Sequence, residues 1–305
     1  MNCAPIAIFC YERLNHLEKL IQALQKSSIL NESEIFFFID GPKEVNVSSV
    51  NKVQDYVQKL NVGLRKHVFK RDKNIGLSKS IISGVNQVLD LNDRVIVLED
   101  DLIPHELFLP YCNEALSKYE KFAEVGCIHG YSYPVDKDSE DCYFLRGGDC
   151  WGWATWKSKW KLFNPDLRAL LNYLKSRKLT WKFDLEGAYP YTKTLENSLL
   201  GKNDSWAIRW HASLFLANLY CLYPPISLIE NIGLDSSGTH CKKSEKYKTK
   251  NFPECSNFNF PDKIFEDKEM LNKVMNFHKP GRKTIKFRYL LEFFHNKFYR
   301  YGIYD

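Results

Sequence analysis

Long apolar runs are missing from this sequence of 305 residues. None approaches the roughly 20 residues that a helix needs to cross a bilayer. The stretch from Met1 to Cys10 also lacks the basic start of a secretory signal peptide, and the charged residues Glu12 and Arg13 follow at once. We therefore expect a cytoplasmic protein without a membrane span.

Paired cysteines at metal-ligand spacing are missing as well. The chain has nine cysteines, an odd number without a CxxC pair, and several lie inside apolar runs, as Cys10 does. This pattern predicts reduced thiols rather than a disulfide framework. A zinc site is not expected, because the usual spacing of its ligands is absent.

The composition is that of a globular protein. The hydrophobic content of 44% is ordinary for a chain that buries a core, and the length suits one large α/β domain or two small ones. Repeats and low-complexity tracts are absent. The aromatic content of 14% is high. It fits surfaces that stack on sugars or touch a membrane interface, and it equally fits an aromatic core.

Strand-like and helix-like patterns alternate over the first hundred residues. Short apolar runs of the kind that buried parallel strands require occupy residues 6–9, 35–39, 67–69 and 94–98. Apolar residues recur at helical spacing between them, and we expect Ser78 to be the N-cap of the third helix. This alternation predicts an α/β fold with a mostly parallel sheet and helices on both faces.

Polar residues follow three of the four predicted strands. They are Tyr11 to Arg13 after the first strand, Asp40 with Gly41 after the second, and Glu99-Asp100-Asp101 after the fourth. In parallel sheets, ligands bind beyond the carboxyl ends of the strands, and these ends share one edge. The residues can therefore converge although they are far apart in the sequence.

The acidic triplet is the strongest single signal. Side chains alternate along a strand, so Glu99 and Asp101 should point to one side and Asp100 to the other. Crowded carboxylates repel one another, and Mg²⁺ or Mn²⁺ relieves that repulsion while leaving positions for substrate phosphates. Such a metal would neutralise the charge that grows on a diphosphate leaving group. The alternative is a solvated acidic turn, which rarely has apolar flanks on both sides as here.

The pattern changes after residue 105. We predict helices near residues 107–119 and 205–219 around an aromatic stretch at 142–160. Residues 147–153 combine glycines, Asp149 and two tryptophans, among them Trp151, whose indole suits the apolar face of a sugar ring. A tight turn with core tryptophans is the alternative. Asp204 lies at the start of the second helix, where an aspartate is also a good N-cap.

Residues 95–102 resemble the DxD-type segment of GT-A glycosyltransferases, and especially the form found in the N-acetylglucosaminyltransferase I family and its bacterial relatives. Three further segments agree in order and spacing. Residues 7–13 resemble the first strand and its base-binding turn, Asp40-Gly41 resembles the turn that meets the nucleoside, and residues 74–78 resemble the N-x-G-L segment before the third helix. The likeness covers roughly residues 4–240 and is most specific up to about residue 105.

The resemblance implies roles for the residues at the predicted sheet edge. Asp101 would bind the metal, Asp100 the ribose and Glu99 the donor sugar. Arg13 would approach the diphosphate, and Asp40 would bind the base.

Residues of the second half take implied roles as well. An inverting transfer needs a carboxylate that deprotonates the acceptor hydroxyl. The resemblance favours Asp204 for this task, with Asp149 as the second candidate. Residues 147–153, with Trp151, would line the pocket for the donor sugar and the acceptor. His240 could ligate the metal or contact the diphosphate, although a lone histidine is more often a packing or surface residue.

Residues 279–301 form a basic and aromatic tail. Seven lysines and arginines interleave with seven aromatic residues, and Glu292 is the one acidic residue. This composition favours contact with an anionic membrane surface, although a helix that packs its aromatics on the core is also compatible. No nucleic-acid motif accompanies it, so we expect no nucleic-acid partner.

These patterns together with the resemblance predict a metal-dependent, inverting glycosyltransferase with a nucleotide-sugar donor, UDP-sugars being favoured. Residues 1–105 would bind the donor, residues 106–245 the acceptor, and residues 246–305 would be an extension. The expected acceptor is a glycan or lipid-linked glycan of bacterial surface polysaccharide or lipopolysaccharide synthesis, at the inner face of the cell membrane. A nucleotidyltransferase would be favoured by a glycine- and arginine-rich loop after the first strand, which is absent. A non-catalytic sugar-binding module would be favoured by loss of the acidic groups.

Overall fold

The structure is a computed structural model that describes residues 3–137, 139–235, 245–249 and 258–278. His240 and the basic tail lie outside the described residues. Within the described part, ten strands are present. They are β1 Ile6–Cys10, β2 Glu34–Ile39, β3 Arg65–Lys70, β4 Arg94–Glu99, β5 Leu102–Pro104, β6 Val125–His129, β7 Tyr143–Arg146, β8 Trp153–Trp156, β9 Tyr220–Tyr223 and β10 Ile229–Asn231.

Ten α-helices lie between and after these strands in the described part of the chain. They are α1 Leu14–Leu24, α2 Val47–Lys59, α3 Leu77–Leu91, α4 Phe108–Tyr119, α5 Lys157–Trp160, α6 Leu167–Ser176, α7 Thr180–Phe183, α8 Tyr191–Leu199, α9 Trp206–Leu216 and α10 Lys268–His278. Among the described residues, no helix is long and apolar enough to cross a membrane.

The central sheet has eight strands in the order β3-β2-β1-β4-β8-β6-β9-β7. The first four are mutually parallel, β8 runs antiparallel to β4 and β6, and β9 runs parallel to β6. All strands of the central sheet except β7 and β8 therefore point the same way. This confirms the predicted α/β fold with a mostly parallel sheet, and the sheet is continuous across residue 105. A second, two-stranded sheet pairs β5 with β10.

Helices cover both faces of the sheet, as the buried apolar runs predict. Along β1, Ile6 and Ile8 pack with α1, α2 and α4, whereas Ala7 and Phe9 pack with α3, α9 and α10. A strand that is buried on both sides has no polar face, so its sequence is continuously apolar rather than alternating.

The aromatic residues mostly build the core. The ring centroids of Trp160, Trp206 and Trp210 lie 5.4 to 5.8 Å from that of Trp153. Phe36, Phe37 and other rings of β2 are also buried. An aromatic core therefore accounts for much of the high aromatic content, and only part of it is left for a binding surface.

Two local predictions need correction. Ser78 is not the N-cap of the third helix. That helix begins at Leu77, and its N-cap is Gly76, with a φ of 83°. A positive φ is readily adopted by glycine, so the turn into α3 is set by that residue. Asp204 is not the N-cap of α9 either, since the Ser205 hydroxyl accepts the hydrogen bond of the Ile208 N–H group.

Candidate functional site

The sheet edge at which β1 to β4 end, called here the carboxyl edge, collects the predicted polar residues. Arg13 follows β1, and one of its nitrogens, Nη2, contacts Asp100 Oδ1 and lies 2.8 Å from Asp101 Oδ2. These groups are 87 and 88 positions apart in the sequence. The parallel arrangement of β1 and β4 thus creates the predicted convergence of Arg13 with the acidic triplet.

The carboxylates of the triplet do not alternate as expected. Asp100 and Asp101 were predicted on opposite sides, yet both contact the same guanidinium group. The reason is that β4 ends at Glu99 and the chain turns at the next two residues, so the alternation of a strand no longer applies.

The triplet carries more negative charge than Arg13 neutralises. Burial, together with the nearby carboxylates of Asp101 and Asp100, raises the pKa of Glu99 to about 8. Burial likewise raises the pKa of Asp100 to about 6, against the opposing effect of Arg13. Three carboxyl groups face one guanidinium here, so an additional cation would be stabilised at this point.

The residues fit a divalent metal that is completed by a substrate. Among the described residues, no group of three or more histidine, cysteine, aspartate or glutamate side chains is arranged to hold a metal on its own. Mg²⁺ and Mn²⁺ sites commonly use one or two carboxylates together with substrate phosphates, and Asp101 can supply that share. The buried Nη1 of Arg13 has no hydrogen-bond partner in the described part of the chain, which leaves a donor for an anionic group.

The chain after β10 closes over Asp101. The Ile232 N–H group donates to the Asp101 carbonyl oxygen, and a Cβ atom at Gly233 would lie 2.1 Å from Asp101 Oδ2. A side chain at Gly233 is therefore excluded by the carboxylate. Two residues after Gly233, Asp235 Oδ2 lies 3.5 Å from His16 Nε2. The segment that contains His240 follows, outside the described residues.

Asp40 holds two segments of the carboxyl edge together. Its Oδ1 accepts hydrogen bonds from the N–H groups of Gly41 and Ile75, and its Oδ2 accepts one from Gly76 at 2.9 Å. In addition, Asn74 Nδ2 donates to the Gly41 carbonyl oxygen. The buried carboxylate is thus used by the backbone that enters α3. A contact between Asp40 and a nucleoside base stays a prediction.

Asp149 lies close to the acidic triplet. Burial raises the pKa of the Cys150 thiol, and the carboxylate of Asp149 raises it further. The charges of Glu99 and Asp101 also raise the pKa of this thiol. Cys150 follows Asp149 directly in the chain, so the triplet and Asp149 belong to one region of the molecule.

A group of tyrosines and histidines surrounds Asp149, and sequence reasoning missed them. The Tyr133 hydroxyl donates to Asp149 Oδ2 at 3.3 Å. The rings of Tyr189 and Tyr191 lie tilted against each other with centroids 4.5 Å apart. Burial raises the pKa of both hydroxyls, and the charge of Asp149 raises it further. The sequence pattern Tyr189-Pro190-Tyr191 was the available signal, but nothing local linked it to Asp149.

The two tryptophans of residues 147–153 have different environments. Trp153 is fully buried in the core, as the alternative interpretation of this motif predicted. Trp151 is half-buried, with ring contacts to Tyr131 at 4.8 Å and Tyr247 at 5.7 Å between centroids. The backbone N–H group of Trp151 donates to Nε2 of the buried His129. Trp151 is thus the tryptophan of the pair that can reach a ligand.

Asp204 lies immediately before α9, and its side chain is 57% exposed. It accepts a 2.5 Å hydrogen bond from Arg209 Nη2, while Arg209 Nη1 donates to the Ser78 hydroxyl at the start of α3. Since α3 begins beside Asp40, this network connects Asp204 to the carboxyl edge. Described residues thus hold Arg13, Asp40 and the triplet at one edge of the sheet, with Asp149 in the same region and Asp204 linked to it through Arg209 and Ser78.

Comparisons with known proteins find likeness among solved structures. No protein-family model matches the chain, and no curated protein matches it. The mannosyltransferase PcManGT from Pyrobaculum calidifontis, solved with GDP-Man and Mn²⁺, is similar over 72% of this chain and 70% of its own, with 10% identity and a TM-score of 0.36. S. aureus TarS 1–349 is similar over 57% of this chain, with 12% identity and a TM-score of 0.34.

The likeness is distant and partial. A second structure of S. aureus TarS covers 53% of this chain and 30% of its own, with 12% identity and a TM-score of 0.35. The chain spans about half the length of TarS 1–349, of which 49% is covered. Because all three TM-scores lie below 0.5, the function proposed below rests on the geometry of the carboxyl edge.

Proposed function

We propose that this protein is a glycosyltransferase that uses a nucleotide-sugar donor and a divalent metal, Mn²⁺ or Mg²⁺. The observation that carries the proposal is the acidic triplet, which lies at the carboxyl edge in contact with Arg13 and next to the aromatic surroundings of Asp149. An anionic, metal-binding end and an aromatic, polar end are the two environments that a nucleotide sugar needs.

The donor would lie along the carboxyl edge with its diphosphate at the triplet. Asp101 would hold the metal, which would neutralise the charge that develops on the leaving diphosphate. The unpartnered Nη1 of Arg13 would donate to a diphosphate oxygen. Asp100 would bind the ribose and Glu99 the donor sugar. Asp40 would shape the nucleoside pocket through the backbone that it holds.

The transfer would invert the configuration at the anomeric carbon, with Asp204 as the general base and Asp149 as the second candidate for that role. The acceptor hydroxyl gives its proton to the carboxylate while its oxygen forms the new bond to the anomeric carbon. The bond from that carbon to the diphosphate breaks, and the nucleoside diphosphate leaves with the electron pair. Asp204 is exposed to an incoming acceptor, but its ion pair with Arg209 must open or shift before it can accept a proton.

UDP-sugars are the favoured donors, and a glycan or lipid-linked glycan is the proposed acceptor. Such an acceptor suits bacterial surface polysaccharide or lipopolysaccharide synthesis at the cytoplasmic face of the membrane. The basic tail would then dock the enzyme there. Co-sedimentation with anionic vesicles tests this docking. Binding should weaken with salt and require Phe293, Phe294 and Phe298, whereas equal sedimentation of the wild type and a Ser-substituted tail would contradict it.

A thermal-shift screen tests the proposed activity. UDP, GDP, CMP and TDP sugars are added with and without Mn²⁺ to the wild type and to the Asp101→Asn variant. We expect one donor family to raise the melting temperature of the wild type only when Mn²⁺ is present, and to leave the variant unchanged. Stabilisation by nucleoside triphosphates but not by nucleotide sugars would instead favour a nucleotidyltransferase. No metal-dependent shift with any nucleotide would overturn the proposal.

A further inference from the structure

The last described helix, α10, brings a histidine to the surroundings of Asp149. Met270, Val274 and His278 recur at intervals of four residues, so they share one face of the helix. The first two are buried in the core beside β7. His278 continues this face at the helix end, which makes it the polar member of an otherwise apolar stripe.

His278 is enclosed by aromatic rings that also border Asp149. Its ring centroid lies 4.7 Å from that of Tyr189 and 5.1 Å from that of Tyr133. Tyr133 is the residue that donates to the Asp149 carboxylate. The imidazole is therefore one side chain away from Asp149, on the side of the tyrosines.

Within the part of the chain that the structure describes, both ring nitrogens of His278 lack a hydrogen-bond partner. The side chain is 4% exposed, and neither Nδ1 nor Nε2 has a hydrogen bond within the described part of the chain. Buried polar atoms in native proteins nearly always have a partner, whether protein, water or ligand. An imidazole with two buried and unpaired nitrogens next to a proposed sugar-binding region thus points to a partner from outside the described residues.

We propose that His278 binds a sugar of the substrate through hydrogen bonds from its imidazole to ring hydroxyls. This inference rests on the proposed function and extends it to a residue that the nucleotide-binding half does not contain. A neutral imidazole offers one donor and one acceptor, and neighbouring sugar hydroxyls can accept and donate in turn. The edge-on rings of Tyr133 and Tyr189 would hold the imidazole in place.

The electrostatic surroundings keep His278 in the form that this contact needs. Burial, together with the charge of Lys246, lowers its pKa to about 4, against the opposing effect of Asp149. The imidazole is therefore neutral near pH 7. As a neutral group with one donor and one acceptor, it would bind and orient a sugar.

Nitrogen NMR of histidine-labelled protein tests the contact directly. The His278→Phe variant assigns the two nitrogen signals, because it keeps the ring and removes both nitrogens. The probes are UDP-glucose, GDP-mannose and TDP-glucose, each compared with its free nucleoside diphosphate in the presence of Mn²⁺. Free glucose, galactose and mannose are then added to the complex with the diphosphate. A shift with the nucleotide sugar alone assigns the donor sugar, and a shift with the free sugar assigns the acceptor.

Affinity measurements on variants complete the test. His278→Phe should weaken the sugar-dependent part of binding about three- to tenfold, the range for one lost hydrogen bond, and leave the affinity for the free diphosphate unchanged. His278→Asn, which keeps a donor and an acceptor, should recover part of the loss. The matched control is His67→Phe, since His67 lies on β3 and stacks on Phe36 away from Asp149.

The outcomes separate this inference from the proposed function. If the nucleotides bind but no probe shifts the His278 nitrogens, or His278→Phe binds sugar as the wild type does, the imidazole is satisfied by water and the inference is wrong. If no nucleotide binds in the presence of Mn²⁺, the proposed function itself fails, and the inference fails with it.

Discussion

Replacement of Arg13 by methionine should destabilise the protein because it removes the guanidinium that joins Asp100 and Asp101. Methionine has a similar length but no charge. Loss of one partner from a buried ion pair lowers the free energy of unfolding by about 3–5 kcal/mol. The Arg13 side chain is 21% exposed, while those of Asp100 and Asp101 are 5% and 17% exposed. Because Arg13 is partly solvated, we expect a loss of about 3 kcal/mol, near the lower end of that range.

A divalent cation should restore much of this loss. The guanidinium and the metal neutralise the same carboxylates, so Mn²⁺ should stabilise Arg13→Met more than the wild type. At a hundredfold excess over its dissociation constant, a ligand contributes about 2.7 kcal/mol to stability. Urea unfolding with and without Mn²⁺ measures both effects. The matched control is Arg209→Met, which also breaks an ion pair, with Asp204, but should gain nothing from Mn²⁺.

Two results would refute this reasoning. If Arg13→Met unfolds at the same urea concentration as the wild type, the contact behaves as a surface ion pair and does not compensate the buried charge of the triplet. If Mn²⁺ stabilises Arg13→Met and Arg209→Met equally, the metal binds elsewhere.

Three further predictions concern single residues. Asp204→Asn should lower turnover about 10²-fold or more at nearly unchanged donor affinity, as expected for the loss of a general base. Steady-state kinetics measure this loss. If Asp149→Asn shows the loss instead, Asp149 is the base. Asp40→Asn should lower the free energy of unfolding by about 2–3 kcal/mol, because the amide cannot accept every N–H group that the carboxylate accepts; an unchanged denaturation curve would contradict this. His278 has a folded-state pKa of about 4, below its unfolded value, so it makes stability fall as pH drops from about 6.5 towards 4. The free energy of unfolding of His278→Phe, measured by denaturation across this pH range, should therefore fall less steeply than that of the wild type. An equal slope for the two proteins would show that the imidazole is not buried in its neutral form.

The sequence predicted the parts of the molecule that depend on local pattern. The apolar runs of β1, β2 and β4 are continuous because both faces of these strands are buried, and this makes them recognisable. The parallel arrangement then followed from the helices between them, and with it the convergence of Arg13 and the acidic triplet at one edge.

Other features depend on contacts that no local pattern encodes. Asp100 and Asp101 share Arg13 because the chain turns after β4, and a strand pattern cannot show where alternation ends. Tyr133 contacts Asp149, and Tyr191 and His278 lie within reach of its charge, although the three residues come from separate segments of the chain. The motif that contains Trp151 and Trp153 was recognised, but packing alone decided which indole is buried.

Calorimetric titration of the donor with and without Mn²⁺ tests the central claim most directly. The wild type and Asp101→Asn are titrated with the nucleotide sugar that the thermal-shift screen selects, and Asp55→Asn, on the outer side of α2, is the control. We predict that the wild type and the control bind the donor with Mn²⁺ and much more weakly in EDTA, whereas Asp101→Asn binds weakly in both. Equal binding by wild type and Asp101→Asn in the presence of Mn²⁺ would show that the acidic triplet is not the metal and diphosphate site.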